Sequence, residues 1–220
     1  MALIGETFDF LSRLTENNNR DWFKDHKAEF DYLRAEFRNG VQKIIEKMSL
    51  EDDTLRGVDA NDCIYRIYRD IRFREDKTPY KTHFAAVIAR GGRKSNLSCY
   101  YLHIEPQKSE IGGGVWCPDP VMLKALRHSI DDNIEEFEDI ISNEELKKNY
   151  NLVGDSLKLM PKGFSKDSPN GKYIKMKEFL LEKMCSNDYF DAPDWTDKVA
   201  KALLLQKPFH DFMNYTIEEL

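Results

Sequence analysis

The chain has 220 residues, of which 41% are hydrophobic and 12% are aromatic, and its formal net charge is −6. This length suits one domain or a tightly fused pair with a sizeable buried core, and the composition excludes a disordered chain. Because domains that coat nucleic acids are expected to be basic, the negative charge argues against a nucleic-acid partner.

The sequence also predicts the location of the protein and the redox state of its cysteines. The first residues, MALIGETFDFL, have no basic region and no apolar run of signal-peptide length, and no stretch approaches the roughly 20 apolar residues of a membrane span. The four cysteines lie 36, 18 and 68 residues apart without a CxxC pair, which argues against a zinc ribbon and a thioredoxin-type site. We therefore expect a soluble cytoplasmic protein with reduced cysteines and no membrane partner.

Two amphipathic helices are predicted in the first 50 residues. Apolar residues recur at helical spacing directly after Thr7, which is a suitable N-cap for a short helix. A longer apolar stripe follows over residues 20–48, with Asn19 as its expected N-cap. The chain therefore begins with a helical part.

The central third of the chain is predicted to form β-strands. β-Branched and aromatic residues are concentrated in residues 63–68, 84–89 and 97–104, and residues 110–116 are a fourth candidate. Residues 90–96, rich in glycine and polar residues, predict a hairpin loop. The glycine run in the fourth candidate strand predicts a bulge or the close approach of another backbone or a ligand.

The remaining chain is predicted to be mainly helical. Prolines open a helix over residues 118–142, and a last helix begins at Trp195 and restarts at Pro208. Residues 152–160 are a candidate strand, and residues 173–184 have no clear type. This order predicts an α+β fold, with a mostly antiparallel sheet from the central third between N-terminal and C-terminal helices. We expect a single domain over residues 1–220, with a helical part (1–50), a β-meander that carries a basic motif (63–117) and a mainly helical part (118–220).

A basic segment stands out within this acidic chain. Between Arg66 and Lys94 there are nine lysines and arginines against three acidic residues. Such an inversion of charge attracts anions to one region and repels them elsewhere. The basic residues are Arg66, Arg69, Arg72, Arg74, Lys77, Lys81, Arg90, Arg93 and Lys94, and the acidic ones are Asp70, Glu75 and Asp76.

Two conformations of this segment are compatible with the sequence. If residues 65–72 are extended, alternate side chains, including those of Asp70 and Arg72, share one polar face. If the chain turns helical instead, Asp70 meets Arg74 at four-residue spacing, and most of the charges pair with one another. Pro79 predicts that the following stretch is a loop in either case.

The leading hypothesis for function is a site for a small anionic ligand, such as a phosphorylated one. Converging guanidinium and ammonium groups suit phosphate, sulfate or carboxylate, and neighbouring carboxylates orient the cations through hydrogen bonds. The candidate ligand-binding residues are Arg66, Arg69, Arg72, Asp76, Lys77 and Lys81, together with the backbone near Gly113 and the ring of Trp116. The candidates for proton transfer, should a reaction occur, are Asp70, Tyr80 and His83.

Three other interpretations of the same region stay open. The arginines and aspartates can form a structural ion network that binds no ligand. They can also form a surface that docks an acidic protein or a nucleic-acid backbone. Finally, His83 and His103 with Asp70 or Asp76 can form a two-histidine, one-carboxylate metal site. Since histidines on strands are more often satisfied by hydrogen bonds, we assign no metal ligand and no cofactor, and the oligomeric state is not predicted.

Five motifs connect the chain with a known family. They are NNNRDWF at residues 17–23, RIYRDIRFREDKTPYK at 66–81, YYLHIEP at 100–106, GGGVWCP at 112–118 and LKLMPKGFSKDSP at 157–169. With these motifs the chain resembles, over nearly its full length, the uncharacterised family called domain of unknown function 2461. The resemblance implies one α+β domain and brings no activity, substrate or cofactor. The family pattern often has a histidine where this chain has Ser168, so we assign that loop no proton-transfer role.

Overall fold

A computed structural model describes residues 3–73 and 75–220 of the chain, and its centre is a five-stranded sheet. The strands are β1 (Phe84–Ile88), β2 (Cys99–Ile104), β3 (Ser109–Val115), β4 (Asn151–Val153) and β5 (Phe179–Cys185). They lie in the order β1-β2-β3-β5-β4, and all neighbouring pairs are antiparallel. Because ten α-helices of the described residues accompany this sheet, the prediction of an α+β fold is confirmed.

The sheet differs from the sequence prediction in three places. Residues 63–68 do not form a regular strand and make only isolated bridges to Ala86 and Tyr80. Their partner segment contains Pro79, which has no N–H to donate, so a continuous ladder cannot form there. The predicted strand at 152–160 shortens to β4, and β5 lies in the segment that had no clear type because charged residues interrupt its apolar alternation.

Three helices make up the N-terminal part: α1 (Leu3–Glu16), α2 (Arg20–Asp25) and α3 (Lys27–Met48). Asn19 caps α2 as predicted, since its side chain accepts a hydrogen bond from the Trp22 N–H at 3.0 Å. The continuous helix predicted over residues 20–48 is divided at His26, whose ring stacks on that of Trp22 with centroids 3.9 Å apart. The first helix begins before Thr7, which is therefore not its N-cap.

The other helices are α4 (Ala60–Cys63), α5 (Pro120–Asp132), α6 (Ile134–Ser142), α7 (Glu144–Asn149), α8 (Gly171–Ile174), α9 (Trp195–Leu204) and α10 (Lys207–Glu218). The helix predicted over residues 118–142 is divided at Asn133, and Asp119 caps its first half through the N–H groups of Val121 and Met122. Within the described residues, every helix is too short or too polar to span a bilayer.

The sheet has a buried side, the core face, and a half-buried side, the open face. On β2, the core face carries Tyr100, Leu102 and Ile104, and the open face carries Cys99, Tyr101 and His103. Helix α3 packs on the core face, where the rings of Phe37 and Phe84 lie 5.4 Å apart. Helix α10 also packs there, since the His210 ring lies 4.2 Å from that of Tyr100. Helices therefore bury one face and leave polar side chains on the other.

The glycine run lies on β3, in the middle of the sheet. Gly114 has φ +134°, and a Cβ atom at this position would overlap the carbonyl oxygen of Phe179 on β5. The close approach of another backbone, one of the two explanations that the sequence suggested for these glycines, is therefore confirmed at Gly114.

Candidate functional site

A cavity of about 580 Å³ lies where the end of α1 meets the loop that precedes β1. It gathers six of the residues predicted to form a site, Arg69, Asp70, Asp76, Tyr80, Lys81 and His83, and adds Thr15, Asn18, Thr78 and Thr82. The volume falls within the range of roughly 300 to 1,000 Å³ that is usual for small-molecule sites. The predicted residues therefore surround a space that is large enough for a small ligand.

One wall of the cavity is held to the N-terminal helices by Asn18. Its Nδ2 donates a hydrogen bond to the Tyr80 carbonyl oxygen at 3.0 Å, and its Oδ1 accepts one from the Tyr80 N–H at 3.1 Å. The Tyr80 ring is buried and stacks on that of Phe23, with centroids 3.9 Å apart. Burial raises the pKa of the Tyr80 hydroxyl, so this residue is neutral and serves first to anchor the loop.

Within the described part of the loop 69–78, most charged side chains are paired with one another. Arg69 donates to Asp76 at 2.6 Å and also contacts the hydroxyl of Thr78. Asp76 accepts hydrogen bonds from the Thr78 N–H at 2.9 Å and hydroxyl at 2.8 Å. The backbone hydrogen bond from Thr78, followed by the Arg69 guanidinium, lowers the pKa of Asp76 to about 2. Asp76 is therefore ionised, and its hydrogen bond orients Arg69.

Two other predicted cations in this loop point away from the cavity lining. Arg72 forms a bidentate ion pair with Asp70, with N–O distances of 2.9 and 2.6 Å. The guanidinium holds the pKa of Asp70 well below its usual range. The Lys77 ammonium donates to the Ile71 carbonyl oxygen at 3.0 Å. Arg74 lies outside the described residues, so the predicted helical pairing of Arg74 with Asp70 is not described. Arg72 and Lys77 thus have partners within their own loop.

Lys81 differs from these cations because no described carboxylate pairs with it. Its side chain is half-buried in the cavity wall, and its Nζ lies 4.6 Å from the centre of the Tyr65 ring. Arg93 approaches the same ring at 6.0 Å and donates to the Asp62 carbonyl oxygen at 2.9 Å. Burial, and then the charges of Arg66 and Arg93, lower the pKa of Lys81. We call Lys81, Arg66 and Arg93 the cationic cluster.

No member of the cationic cluster forms a contact ion pair with a carboxylate within residues 3–73 and 75–220, although the charge of Arg66 contributes to lowering the pKa of Asp70. Arg66 is exposed and forms neither a hydrogen bond nor an ion pair with any of these residues, and Arg93 binds backbone carbonyl oxygens only. Since burying a cation without a counter-charge is unfavourable, an anion beside Lys81 would stabilise this arrangement.

A histidine-carboxylate cluster lies beside the cavity on the open face. The rings of His83 and His103 stack with centroids 4.2 Å apart, and His103 Nε2 lies 3.1 Å from Glu105 Oε2. Burial, and then the neighbouring His103, lower the pKa of His83 to about 4, and burial also lowers the pKa of His103. Both imidazoles are therefore neutral near pH 7. We call His83, His103 and Glu105 the histidine cluster.

Besides Arg66, Arg72 and Lys77, two further predicted site residues do not line the cavity. Gly113 lies on β3, where a Cβ atom would come within 3.0 Å of the His210 ring and 2.9 Å of Gln206 Oε1. Trp116 follows β3 and is 72% exposed. The cavity therefore has neither the backbone contact nor the stacking ring that these residues were expected to supply.

Sequence reasoning missed several members of the site. Asn18 and Thr15 are distant in sequence, and no residue pattern links them to the basic segment. Glu105 was not proposed as a histidine partner, although its position two residues after His103 in an extended segment places both on one face. That spacing was the available signal.

One comparison with known proteins gives a match. A family model described as "Conserved hypothetical protein (DUF2461)" matches residues 6–212. No curated protein and no solved structure matches the chain. The match covers the cavity, the cationic cluster and the histidine cluster, and its description carries no activity.

Proposed function

The chain belongs to the DUF2461 family of conserved hypothetical proteins, and from this premise we propose that it binds a small anionic ligand in the cavity beside Lys81. The observation that carries the proposal is the state of Lys81, a half-buried ammonium group in the cavity wall without a carboxylate partner among the described residues. A phosphate, sulfate or carboxylate group would supply the missing counter-charge.

Arg69 supports the proposal through its unused donors. Both of its side-chain hydrogen bonds, to Asp76 and Thr78, come from Nη1. Its Nε and Nη2 groups have no acceptor among the described residues, and the side chain is 20% exposed at the cavity. A guanidinium offers five N–H donors, so Arg69 can keep its Asp76 contact and still bind an anion.

The acidic residues at the cavity limit which anions fit. Asp70 and Asp76 are ionised, and both line the cavity. A highly charged polyanion would be repelled by them, whereas a small ligand with one phosphate or carboxylate group can lie against Lys81 and Arg69 and avoid them. This distribution favours a small molecule over a nucleic-acid backbone or an extended acidic protein.

No reaction is part of the proposal. His83 has a pKa of about 4, so near pH 7 it can accept a proton or a hydrogen bond but does not act as an acid. Tyr80, with a raised pKa and a buried ring, is also neutral. Of the residues expected to transfer protons, His83 and Tyr80 would therefore serve as hydrogen-bonding partners of the bound ligand, and the ionised Asp70 would not.

The experiment is a titration with inorganic phosphate, followed by calorimetry and by thermal unfolding at constant ionic strength. Lys81→Met keeps the apolar stem and removes the ammonium group, and Lys94→Met is the matched control on an exposed lysine of the same basic segment. We expect phosphate at about 100 times its Kd to stabilise the wild type and Lys94→Met by about 2.7 kcal/mol, and Lys81→Met by much less.

Two results would contradict the proposal. An equal response of all three proteins, or no response in any of them, would leave the charges with a structural role only. Tight binding of an acidic peptide or an oligonucleotide that is weakened equally by both substitutions and lost at high salt would instead support an interaction surface.

A further inference from the structure

We propose that the histidine cluster, formed by His83, His103 and Glu105, binds a divalent cation of the first transition series. The proposal goes beyond anion binding and does not depend on it, although His83 belongs both to this cluster and to the cavity lining. Three geometric observations support it: the register of β1 and β2, the distances between the ligand atoms, and the hydrogen bonds that orient them.

The strand register brings the three side chains to one place. In the antiparallel pair β1 and β2, Ala85 lies opposite His103 and Phe84 lies opposite Ile104. Continuing this register by one residue places His83 opposite Glu105. Side chains of opposite residues share a face, and residues two apart on one strand share it as well. All three members of the cluster therefore stand on the open face.

The distances between the ligand atoms are close to those of a bound metal. One nitrogen of each histidine and one oxygen of Glu105 all lie within 4.8 Å of one another, and His103 Nε2 is 3.1 Å from Glu105 Oε2. With metal–ligand bonds of about 2.0 to 2.2 Å, adjacent ligand atoms are separated by about 3 to 3.5 Å. The His83 nitrogen therefore has to move closer to the other two ligand atoms for all three to bind one ion.

Hydrogen bonds from neighbouring hydroxyl groups orient His103 and Glu105. The Tyr101 hydroxyl lies 2.9 Å from His103 Nδ1, so the other nitrogen, Nε2, faces Glu105. The Thr82 hydroxyl donates to Glu105 Oε1 at 2.8 Å and leaves Oε2 towards the histidines. Metal-binding histidines and carboxylates are commonly oriented by such hydrogen bonds on their far side.

The donor set suits a metal ion of intermediate softness. His103 Nε2 faces Glu105 and His103 Nδ1 faces the Tyr101 hydroxyl, so coordination through Nε2 requires the ring proton to lie on Nδ1, where the Tyr101 oxygen can accept it. Two imidazoles and one carboxylate suit Mn²⁺, Fe²⁺, Co²⁺ or Zn²⁺ better than Ca²⁺ or Mg²⁺, which prefer oxygen ligands.

Lys81 acts against the metal ion and in favour of an anion. Lys81 lies two residues from His83 and lines the same cavity, so its positive charge repels a cation bound between the histidines. Lys81→Met should therefore tighten metal binding while it weakens phosphate binding. This opposite response separates the two proposals, because either can fail without the other.

The experiment is a titration of the full chain with Zn²⁺ by calorimetry and with Co²⁺ by visible absorption. The starting protein carries Cys117→Ser, because Cys117 is an exposed free thiol that can bind these ions by itself. We expect one equivalent of metal, a loss of affinity of more than about 100-fold in His83→Gln and Glu105→Gln, and a loss of about tenfold in Tyr101→Phe. Tyr101 is a positioning residue, so its variant should keep the stoichiometry.

The matched control is His128→Gln, since His128 stacks on Phe164 and has no contact with the cluster. Unchanged binding in this control, together with the losses above, would support the proposal. The absence of stoichiometric binding in the starting protein, or equal affinity in the starting protein and Glu105→Gln, would overturn it. If circular dichroism shows that His83→Gln does not fold, the affinities of Glu105→Gln and Tyr101→Phe decide the outcome.

Discussion

Similar polar residues lie on the two faces of the sheet, but they are buried on the core face and half-buried on the open face. On the core face, His210 is hydrogen-bonded to Ser98 at 2.6 Å, and the Tyr100 hydroxyl donates to Asp52 at 2.8 Å. On the open face, Tyr101 and His103 form a similar pair beside a cavity. The first set is buried beside a smaller cavity of about 200 Å³, which Ser98, Tyr100 and His210 line, and the second set is partly exposed.

Side-chain exposure, and not residue type, therefore distinguishes the structural polar cluster on one face from the candidate site on the other. His210 is 2% exposed, and the hydrogen bond of its Nδ1 to Ser98 contributes to the stability of the core. The side chains of His103 and Glu105 are 14% and 23% exposed, and His83 lines the cavity. Substitutions should therefore affect stability on the core face and binding on the open face, and four predictions test this division.

The largest difference is expected between apolar residues of the two faces. Leu102 is fully buried on the core face, and Leu102→Ala should lower the free energy of unfolding by about 2 to 5 kcal/mol because it leaves a cavity. Val87 is half-buried on the open face, and Val87→Ala should lower the free energy of unfolding by less than about 1.5 kcal/mol. Urea denaturation measures both, and equal losses would mean that the open face is as tightly packed as the core.

A pH dependence of stability should come from histidines on both faces. Burial lowers the pKa of His83 to about 4 and of His210 to about 3, against 6.5 in the unfolded chain. Between these values the unfolded state binds a proton and the folded state does not. The contribution of these histidines to the free energy of unfolding is therefore fully present above pH 6.5. It decreases as the pH falls towards 4, by up to about 1.4 kcal/mol per pH unit for each histidine.

His83→Gln separates the two contributions. With a chelator present, its free energy of unfolding should fall less steeply below pH 6.5 than that of the wild type, because only the His210 contribution and the smaller effect of His103 remain. Denaturation curves across this pH range measure the slope. Identical slopes in the two proteins would show that His83 is not shielded from protonation.

Adjacent tyrosines on β2 provide a smaller and closely matched comparison. Tyr100→Phe removes the hydroxyl that donates to the buried Asp52, and we expect a loss of about 1 to 3 kcal/mol. Tyr101→Phe removes the hydroxyl beside His103 on the open face, and we expect a loss of less than about 1 kcal/mol. A larger cost for Tyr101→Phe would contradict the assignment of the two faces.

The smallest effect is expected in the loop beside the cavity. Arg72 and its partner Asp70 are both exposed, and exposed ion pairs contribute little to stability. Arg72→Gln should change the free energy of unfolding by less than about 0.5 kcal/mol and weaken phosphate binding only slightly, since Arg72 does not line the cavity but neutralises Asp70, which does. A marked loss of phosphate affinity would mean that the site extends over this loop.

Much of the fold could be predicted because its helices and three of its strands have regular apolar patterns. The patterns before Met48 and after Pro118 marked helices, and those around Phe84, Leu102 and Ile111 marked strands. The breaks at His26 and Asn133 were missed because they interrupt helices whose apolar stripes continue across them. β5 was missed because its alternation is weak.

The position of the candidate site could be predicted only in part. The charge count marked the segment that contains Lys81 and His83, because an excess of cations is a property of composition. It did not distinguish Lys81 from Arg72, although one lines the cavity without an ionic partner and the other is paired in an exposed loop. That distinction depends on burial and on partners.

The amino-acid sequence by itself determined the α+β class and the basic segment, because periodicity and charge are local properties of the chain. Only the tertiary structure decided that Glu105 joins His83 and His103, and that Asn18 closes a cavity against Tyr80. The physical reason is that strand register and helix packing bring together residues far apart in sequence, and no local pattern encodes those distances.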